Sequence, residues 1–464
     1  MKKKLVLLLL VVSTLFTSCF EDNDDTIASA STQDIQDFIY RGLNFFYLYK
    51  SDTPELANDA FSNETEKNDF LNSFETPESL FDYLKSDQDR FSILVPDYIE
   101  LENSLNGISL SNGMEFGLVF EPNSDTNLFG YVRYVLPNTD AEAKNVMRGM
   151  IFTTVDGEQL TVNNRVELLS RDSYTIGLAD YDGNTLTPTG ETIALTKQQY
   201  TENPVFIAET LTVDGIKVGY LMYNSFTRDF DSELNAAFAQ FQAEGVNELV
   251  LDLRYNGGGA VETAVDLCSM ITGQFNGDIL YTEEWNADRQ QQYAEPGVFD
   301  SSISNEEAIN SLQLMNLYVL ATRNTASASE LVINGLNPYI NVTQVGTNTR
   351  GKYQASFILY DAPAPNFSRS EANPGHTYAM LPLVFKTANS VGNTDYDDGL
   401  EPDFGIGEDY TNLGTLGSPN EPLLEAALGI ITGRRPSISQ PSYLTELEGR
   451  KSLLPDYQIM WAEK

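Results

Sequence analysis

Three hydrophobic rhythms divide the chain. From 31 to 107, Ile35, Phe38, Ile39, Leu43, Phe46 and Tyr47 fall three or four positions apart, the spacing of one helix face. A second helix is predicted around Ser79–Leu84, opened by Thr76-Pro-Glu, and the aromatic density of this stretch reads as helix-packing core. From 108 to 200 the period shortens. The runs Gly117–Phe120, Tyr131–Val135, Met150–Val155 and Thr192–Leu195 are separated by turn signals such as Asp156-Gly157 and Asp182-Gly183, which predicts a small β-rich domain. From 201 to 435 strands and helices alternate. Strands are predicted at Ile216–Ser225, Glu248–Leu253, Asn316–Thr322 and Ile340–Gly346, with a helix at Glu233–Ala243 turning Leu234, Phe238 and Phe241 to one side. That alternation predicts a layered α/β domain. The last stretch, 436–464, carries Tyr443, Leu453, Tyr457, Met460 and Trp461 at no assignable period and is treated as an extension.

The first residues have a different character. Met1-Lys-Lys-Lys4 is a basic region, Leu5–Val12 is apolar, and Leu15-Phe-Thr-Ser-Cys19 follows. The apolar run is short for a bilayer span and has signal-peptide flanks. With a cysteine after small residues it resembles a bacterial lipobox. Residues 1–18 are then a lipoprotein signal peptide, and a mature chain lipidated on Cys19 is anchored to the membrane rather than spanning it. Residues 19–30, with Glu21-Asp-Asn-Asp-Asp25, form an acidic tether that resembles the export signal of surface lipoproteins in Bacteroidetes-type bacteria. The expected location is the cell envelope: an outer-membrane lipoprotein, periplasmic or surface-exposed.

Composition narrows the partners. A formal charge of −39, from 28 basic against 67 acidic residues, argues against nucleic acid and anionic membrane surfaces. One histidine and no clustered ligands suggest no metal, and nothing suggests an organic cofactor. Of two cysteines, Cys268 lies in an apolar helical pattern with Val265, Leu267 and Ile271 and reads as a packed core thiol.

Candidate chemistry centres on Ser327, in Asn324-Thr-Ala-Ser-Ala-Ser-Glu330, and on Lys352, in Arg350-Gly-Lys-Tyr353, about two dozen residues later. A serine hydroxyl needs a base within hydrogen-bond reach to act as a nucleophile. The single histidine, His376, has no triad-like surroundings. A lysine serves if burial lowers its pKa toward neutrality, and Ser–Lys pairs are a convergent form of the serine-hydrolase design. Ser327-Ala-Ser-Glu330 also fits a capping box that merely starts a helix; both readings can hold together. Upstream, Glu248–Leu253 leads through Arg254-Tyr-Asn to Gly257-Gly-Gly259 and an apolar helix to about Ile271. A glycine turn there can bring backbone N–H groups close to a bound oxyanion, with Ala328 N–H as a second donor. Neither a Walker lysine spacing nor G-x-G-x-x-G is present.

Asp252-Leu-Arg-Tyr-Asn-Gly-Gly-Gly259, then Ser327-Ala-Ser-Glu330, then Gly351-Lys352 resemble, in order and spacing, the tail-specific or C-terminal processing serine peptidases, family S41. The resemblance implies Ser327 as nucleophile, Lys352 as general base, and oxyanion donors from Gly257, Gly258, Gly259 and Ala328. It implies a multidomain α/β chain: an N-terminal helical segment, a PDZ-like domain over 108–200, and a ClpP/crotonase-like catalytic domain over 201–435. Within the PDZ-like region, Met114–Val119 would be the carboxylate loop, with Phe116, Gly117, Leu118 and Val119 binding a free C-terminal tail. Met150 stands where that domain more commonly has a charged residue. The family usually has a glutamine four residues after the lysine; this chain has Ser356 there. Gln354, two residues after Lys352, or Ser356 is expected to orient the amine instead, because alternate strand residues share a face. The implied function is an endopeptidase that captures polypeptide tails on its PDZ-like domain. The rival reading, raised by the missing glutamine, is a catalytically inactive PDZ-type peptide-binding surface lipoprotein.

Overall fold

The computed structural model describes residues 28–434, 444–447 and 449–463; the expected signal peptide, Cys19 and most of the acidic tether lie outside them. The first apolar face becomes the helix Thr32–Phe46. Ser31 caps it, and the Asp34 carboxylate accepts from the Ser31 N–H at 2.8 Å. The second predicted helix is Pro77–Leu84, with Thr76 as its cap. The sequence did not announce the helices Glu64–Leu71 and Tyr98–Leu105.

These helices share their hydrophobic core with the downstream α/β region. Phe38, Leu43 and Phe46 share one hydrophobic cluster with Phe238, Met270, Val332 and Met380. The strand Ile93–Val95 also pairs antiparallel with Ala379–Leu381. An amphipathic helix needs a partner for its apolar face, and here the partner is the α/β layer some two hundred residues downstream.

The middle region is the expected β-rich unit. Its main sheet runs Glu446–Leu447, Met114–Phe120, Leu128–Val135, Ile151–Val155, Ser173–Tyr181 and Leu186–Thr196, with Glu158–Gln159 set off from Ile151–Val155. Met114–Val119, expected as a loop, is strand throughout; the turn precedes it at Asn112-Gly113, where Asn112 Oδ1 accepts from Met114 N–H (3.0 Å).

Among the described residues the α/β region contains two six-stranded sheets, besides the small sheet of Ile93–Val95, Ala379–Leu381 and Leu359–Tyr360. One orders Val205–Val213, Ile216–Tyr223, Glu248–Asp252, Asn316–Ala321, Asn341–Gly346 and Phe404–Gly405; the first pair is antiparallel and the rest parallel. The other orders Gly259–Ala260, Met460–Trp461, Gln354–Ser356, Leu383–Asn389, Ile279–Trp285 and Gly297–Val298. The helices Val261–Thr272 and Ala328–Leu336 pack on each other. Adjacent parallel strands Glu248–Asp252 and Asn316–Ala321 point their C-terminal ends to one place, the usual position for a site in an open α/β sheet. Among the described residues no helix is long and apolar enough to cross a membrane.

Candidate active site

Ser327 sits where the strand Asn316–Ala321 turns into the helix Ala328–Leu336. Its backbone is at φ 68°, ψ −122°, a region that costs an L-residue of order 1–3 kcal/mol and persists only where surroundings over-determine it. Those surroundings are visible. Thr325 Oγ1 donates to Leu253 O (2.8 Å), Ala326 N–H to Asn256 O (3.1 Å), and Ser329 Oγ to the same carbonyl (3.1 Å). Ser327 is fully buried, and among the described residues its Oγ has no hydrogen-bond partner.

Glu330 ties this elbow to the lysine. Its Oε2 accepts from Ser327 N–H (2.8 Å) and from Lys352 N–H (2.9 Å). Its Oε1 accepts from Gly351 N–H (2.7 Å) and Thr349 Oγ1 (2.5 Å). In the S-x-x-E pattern the Glu330 carboxylate reaches back to the Ser327 N–H. Two backbone nitrogens on one oxygen bring nucleophile and base residues together across the sequence. Burial pushes the Glu330 carboxyl up, against the pull of these hydrogen bonds.

Lys352 is 1 % exposed. Desolvation lowers its amine to about 7, against the opposing charges of Asp89 and Glu330. The Nζ lies 5.1 Å from the Phe91 ring centre and donates to Gln458 O at 2.7 Å. Phe91 is held by its N–H on Asp89 Oδ1 (2.9 Å), and Asp89 Oδ2 accepts from Tyr47 Oη (2.8 Å). The N-terminal helical region thus builds one wall of the amine's pocket.

The glycine turn is positioned by a buried ion network. Arg254 Nε donates to Asp252 Oδ1 (2.9 Å), and its terminal nitrogens reach Glu421 Oε1 (2.5 Å) and Oε2 (3.0 Å). Tyr220 Oη donates to Asp252 Oδ2 (2.7 Å), and Glu421 caps the helix Pro422–Ile431 through Leu424 N–H (2.8 Å). Asp252 and Arg254 are thus structural ions beneath the turn. Gly258 has φ 108°, and a Cβ there would lie 2.5 Å from Ser327 Cβ and 2.7 Å from Oγ. Its N–H, however, is taken by Asn256 Oδ1 (2.9 Å). Gly258 therefore serves close approach to the serine rather than the expected oxyanion donation, which leaves Gly257, Gly259 and Ala328 as the candidate donors. A cavity of about 70 Å³ opens beside the turn, lined by Gly257, Gly258, Gly259, Asn324, Gln458 and Trp461.

Gln354 does not orient the amine. Its Nε2 donates to Tyr49 Oη (3.0 Å), and among the described residues its Oε1 has no hydrogen-bond partner. The strand begins only at Gln354, and Lys352 lies in irregular backbone before it, so strand alternation does not link the two. Ser356 lies in the same strand and pairs with Trp461. Phe116 is buried in the β-rich core, while Leu118 and Val119 pair with Leu447 and Glu446 of the chain itself. His376 faces Asp361 (3.0 Å). Cys268 is a buried thiol pushed strongly up by desolvation. Three carboxylates, of Glu262, Asp266 and Asp300, lie within 4.8 Å of one another. Burial raises the Asp266 carboxyl to about 8.

Comparison with known proteins accords with this geometry. Residues 217–361 match the profile of Peptidase family S41, and residues 34–93 match the Peptidase S41 N-terminal domain. The chain's homologues are carboxyl-terminal processing proteases: that of Picosynechococcus is 25% identical over 64% of this chain and 65% of its own length, and that of Synechocystis 27% identical over 52% and 49%. The chain thus spans about half to two thirds of these relatives. A crystal structure from Bacteroides fragilis named as an S41 protease superposes with TM-score 0.67 at 28% identity, covering 85% of this chain and 97% of that one. The photosystem II D1 C-terminal processing protease shares the fold, with TM-score 0.51 at 20% identity over 86% and 99%.

Proposed function

We propose that this protein is a serine endopeptidase of the C-terminal processing type, with Ser327 as nucleophile and Lys352 as general base. The observation that carries this reading is a fully buried lysine amine, lowered to about 7, whose backbone shares one carboxylate oxygen with that of an unpartnered, strained serine. Ser327 Oγ attacks the scissile carbonyl and Lys352 takes its proton. The oxyanion rests on Ala328 N–H and the Gly257–Gly259 turn. Lys352 then protonates the leaving amine, and water resolves the acyl-enzyme by the reverse steps. The β-rich unit acts as the PDZ-like domain that captures polypeptide tails, beside a ClpP/crotonase-like catalytic core. Cys19 anchors the protein by lipid to the outer membrane of the cell envelope.

The test is hydrolysis of casein and of synthetic tail peptides by the full chain in detergent, against Ser327→Ala and Lys352→Ala. Turnover in the parent and its loss in both variants is expected. Equal turnover in all three removes the dyad assignment. Absence of turnover in all, with tail peptides still bound, favours the peptide-binding lipoprotein.

A further inference from the structure

The 444–463 segment, which had no readable period, threads through both places a polypeptide would occupy. Glu446 and Leu447 pair antiparallel with Val119 and Leu118, and Phe120 N–H donates to Thr445 O (3.1 Å). This covers the otherwise open edge of the Met114–Phe120 strand, the edge to which an added peptide strand would bind. Further along, Met460–Trp461 inserts between Gly259–Ala260 and Gln354–Ser356, parallel to both. Ala462 N–H closes the ladder onto Ser356 O (3.0 Å). Between these two strands, Gln458 has φ 55° and places its carbonyl 2.7 Å from Lys352 Nζ. The amine is engaged by that carbonyl, and among the described residues Ser327 Oγ has no hydrogen-bond partner.

The anchors are apolar as well as ionic and polar: Met460 is fully buried in the main hydrophobic cluster, Ile459 lies in another, and Leu447 and Leu453 pack against the β-rich core. Glu446 accepts from Tyr131 Oη (2.8 Å) and pairs with Arg133; Arg450 pairs with buried Glu115; Arg228 pairs with Glu463. Lys451 Nζ donates to Asn224 O (2.8 Å). Such contacts fix register and orientation while contributing less than apolar burial of equal extent, since each charge is desolvated to make them. The direction of the segment matters too. A substrate captured by its end on the groove strand would send upstream residues into the cleft. Here the upstream residues lie on the groove and the later ones fill the cleft, so the segment blocks both without the layout of a captured tail.

We propose that segment 444–463 is an intramolecular plug, and that the slot between Gly259–Ala260 and Gln354–Ser356 accepts the main chain of an extended polypeptide once the plug leaves. Substrate strands add to the same two edges, and release of Gln458 frees the Lys352 amine for Ser327. The role of the slot in turnover rests on the peptidase reading above; the occupancy itself does not.

The test uses the full chain with Glu446→Lys and Trp461→Asp together. Both changes lie on the plug, facing Arg133 and the acidic surroundings of Glu262 and Glu463 respectively, and leave groove and cleft unaltered. Two readouts are needed. Anisotropy of a fluorescein-labelled peptide with the sequence of residues 444–463 is measured in a Ser327→Ala background, and casein hydrolysis in the Ser327 form. Peptide binding at least tenfold tighter and kcat/KM at least tenfold higher are expected. Tighter binding with no hydrolysis in any form keeps the plug and sinks the peptidase reading. Unchanged binding and equal hydrolysis, with the Ala462 amide now exchanging freely, overturns the plug and leaves the peptidase intact. If the doubly substituted chain does not fold, hydrogen exchange of the Ser327→Ala chain decides. Adding the peptide should speed Ala462 amide exchange at least tenfold; no binding, or no change at saturation, overturns the proposal.

Discussion

Replacing Lys352 by Met probes the central physical claim without relying on turnover. The amine is buried and lowered to about 7 from an ordinary 10.5, which corresponds to about 5 kcal/mol against holding an ammonium there. The sign follows from proton counting. Below pH 7 folded and unfolded chains both hold the proton, so the folded state bears the full penalty. Between pH 7 and 10.5 only the unfolded chain holds it, and the penalty shrinks by about 1.4 kcal/mol per pH unit. Above 10.5 it is gone. Methionine of similar length never carries the charge, but it leaves Gln458 O without its donor, at roughly 1–3 kcal/mol. The Met variant should therefore be more stable than the parent by about 2–4 kcal/mol at pH 6, with the gap closing or reversing by pH 10. Urea denaturation of both proteins at about pH 6, 8 and 10 measures it. In parallel, kcat/KM of the parent should rise about tenfold per unit below pH 7 and level above pH 8, because the neutral amine is the base. A gap independent of pH, or a Met variant less stable at pH 6, would refute the claim that the amine is held dehydrated.

Other outcomes follow from single contacts. Gly258→Ala places a Cβ 2.5 Å from Ser327 Cβ at a φ of 108°; kcat/KM should fall more than about 100-fold, the scale of a lost oxyanion donor, with a lowered Tm by calorimetry. Glu330→Gln turns an amide N–H₂ toward N–H donors that now share the Oε1 and Oε2 lone pairs. Loss of about 3 kcal/mol in urea denaturation is expected, with kcat reduced while peptide affinity holds. Arg254→Met strands Asp252 and Glu421 in the interior and should cost roughly 3–5 kcal/mol; adding Glu421→Leu should recover part of it.

The legible parts of the chain are those whose cause is local. Apolar runs such as Glu248–Asp252 and Asn316–Ala321 form strands wherever they are buried on both faces, and the helix of Leu234, Phe238 and Phe241 runs Asp231–Glu244. Ser327, Lys352 and the glycine turn were visible because they are tied to motifs, and the structure assembles them in one place. What was hidden depends on distant partners. Met460–Trp461 is a two-residue strand that acquires meaning only from Gly259 and Ser356, so no period could reveal it. Glu330 had a sufficient local explanation as a capping residue, which concealed its hold on Thr349, Gly351 and Lys352. Phe91 and Asp89 border the amine only because the N-terminal helices dock on the α/β layer. Gln354 does not meet the amine because counting by twos presumes a strand that starts two residues earlier than it does.

A lysine base in a chain of net charge −39 sets two electrostatic effects against each other. Acidic surroundings favour the ammonium, and a carboxylate hydrogen-bonded to the lysine's own backbone N–H should favour it most. The outcome is decided by distance and by dielectric. Surface carboxylates act through water and are screened beyond about 8 Å at physiological salt, so the great excess of acid contributes little at a buried amine. Glu330 is closer, but its oxygens are occupied by three backbone N–H groups and one hydroxyl. Those dipoles turn their positive ends inward and neutralise much of its field before it reaches Nζ. Asp89 is similarly engaged by Tyr47 Oη and by the N–H groups of Phe91 and Ser92. Desolvation is therefore left as the largest influence on Lys352, and the carboxylate that aligns serine and lysine can do so without charging the base it holds in place.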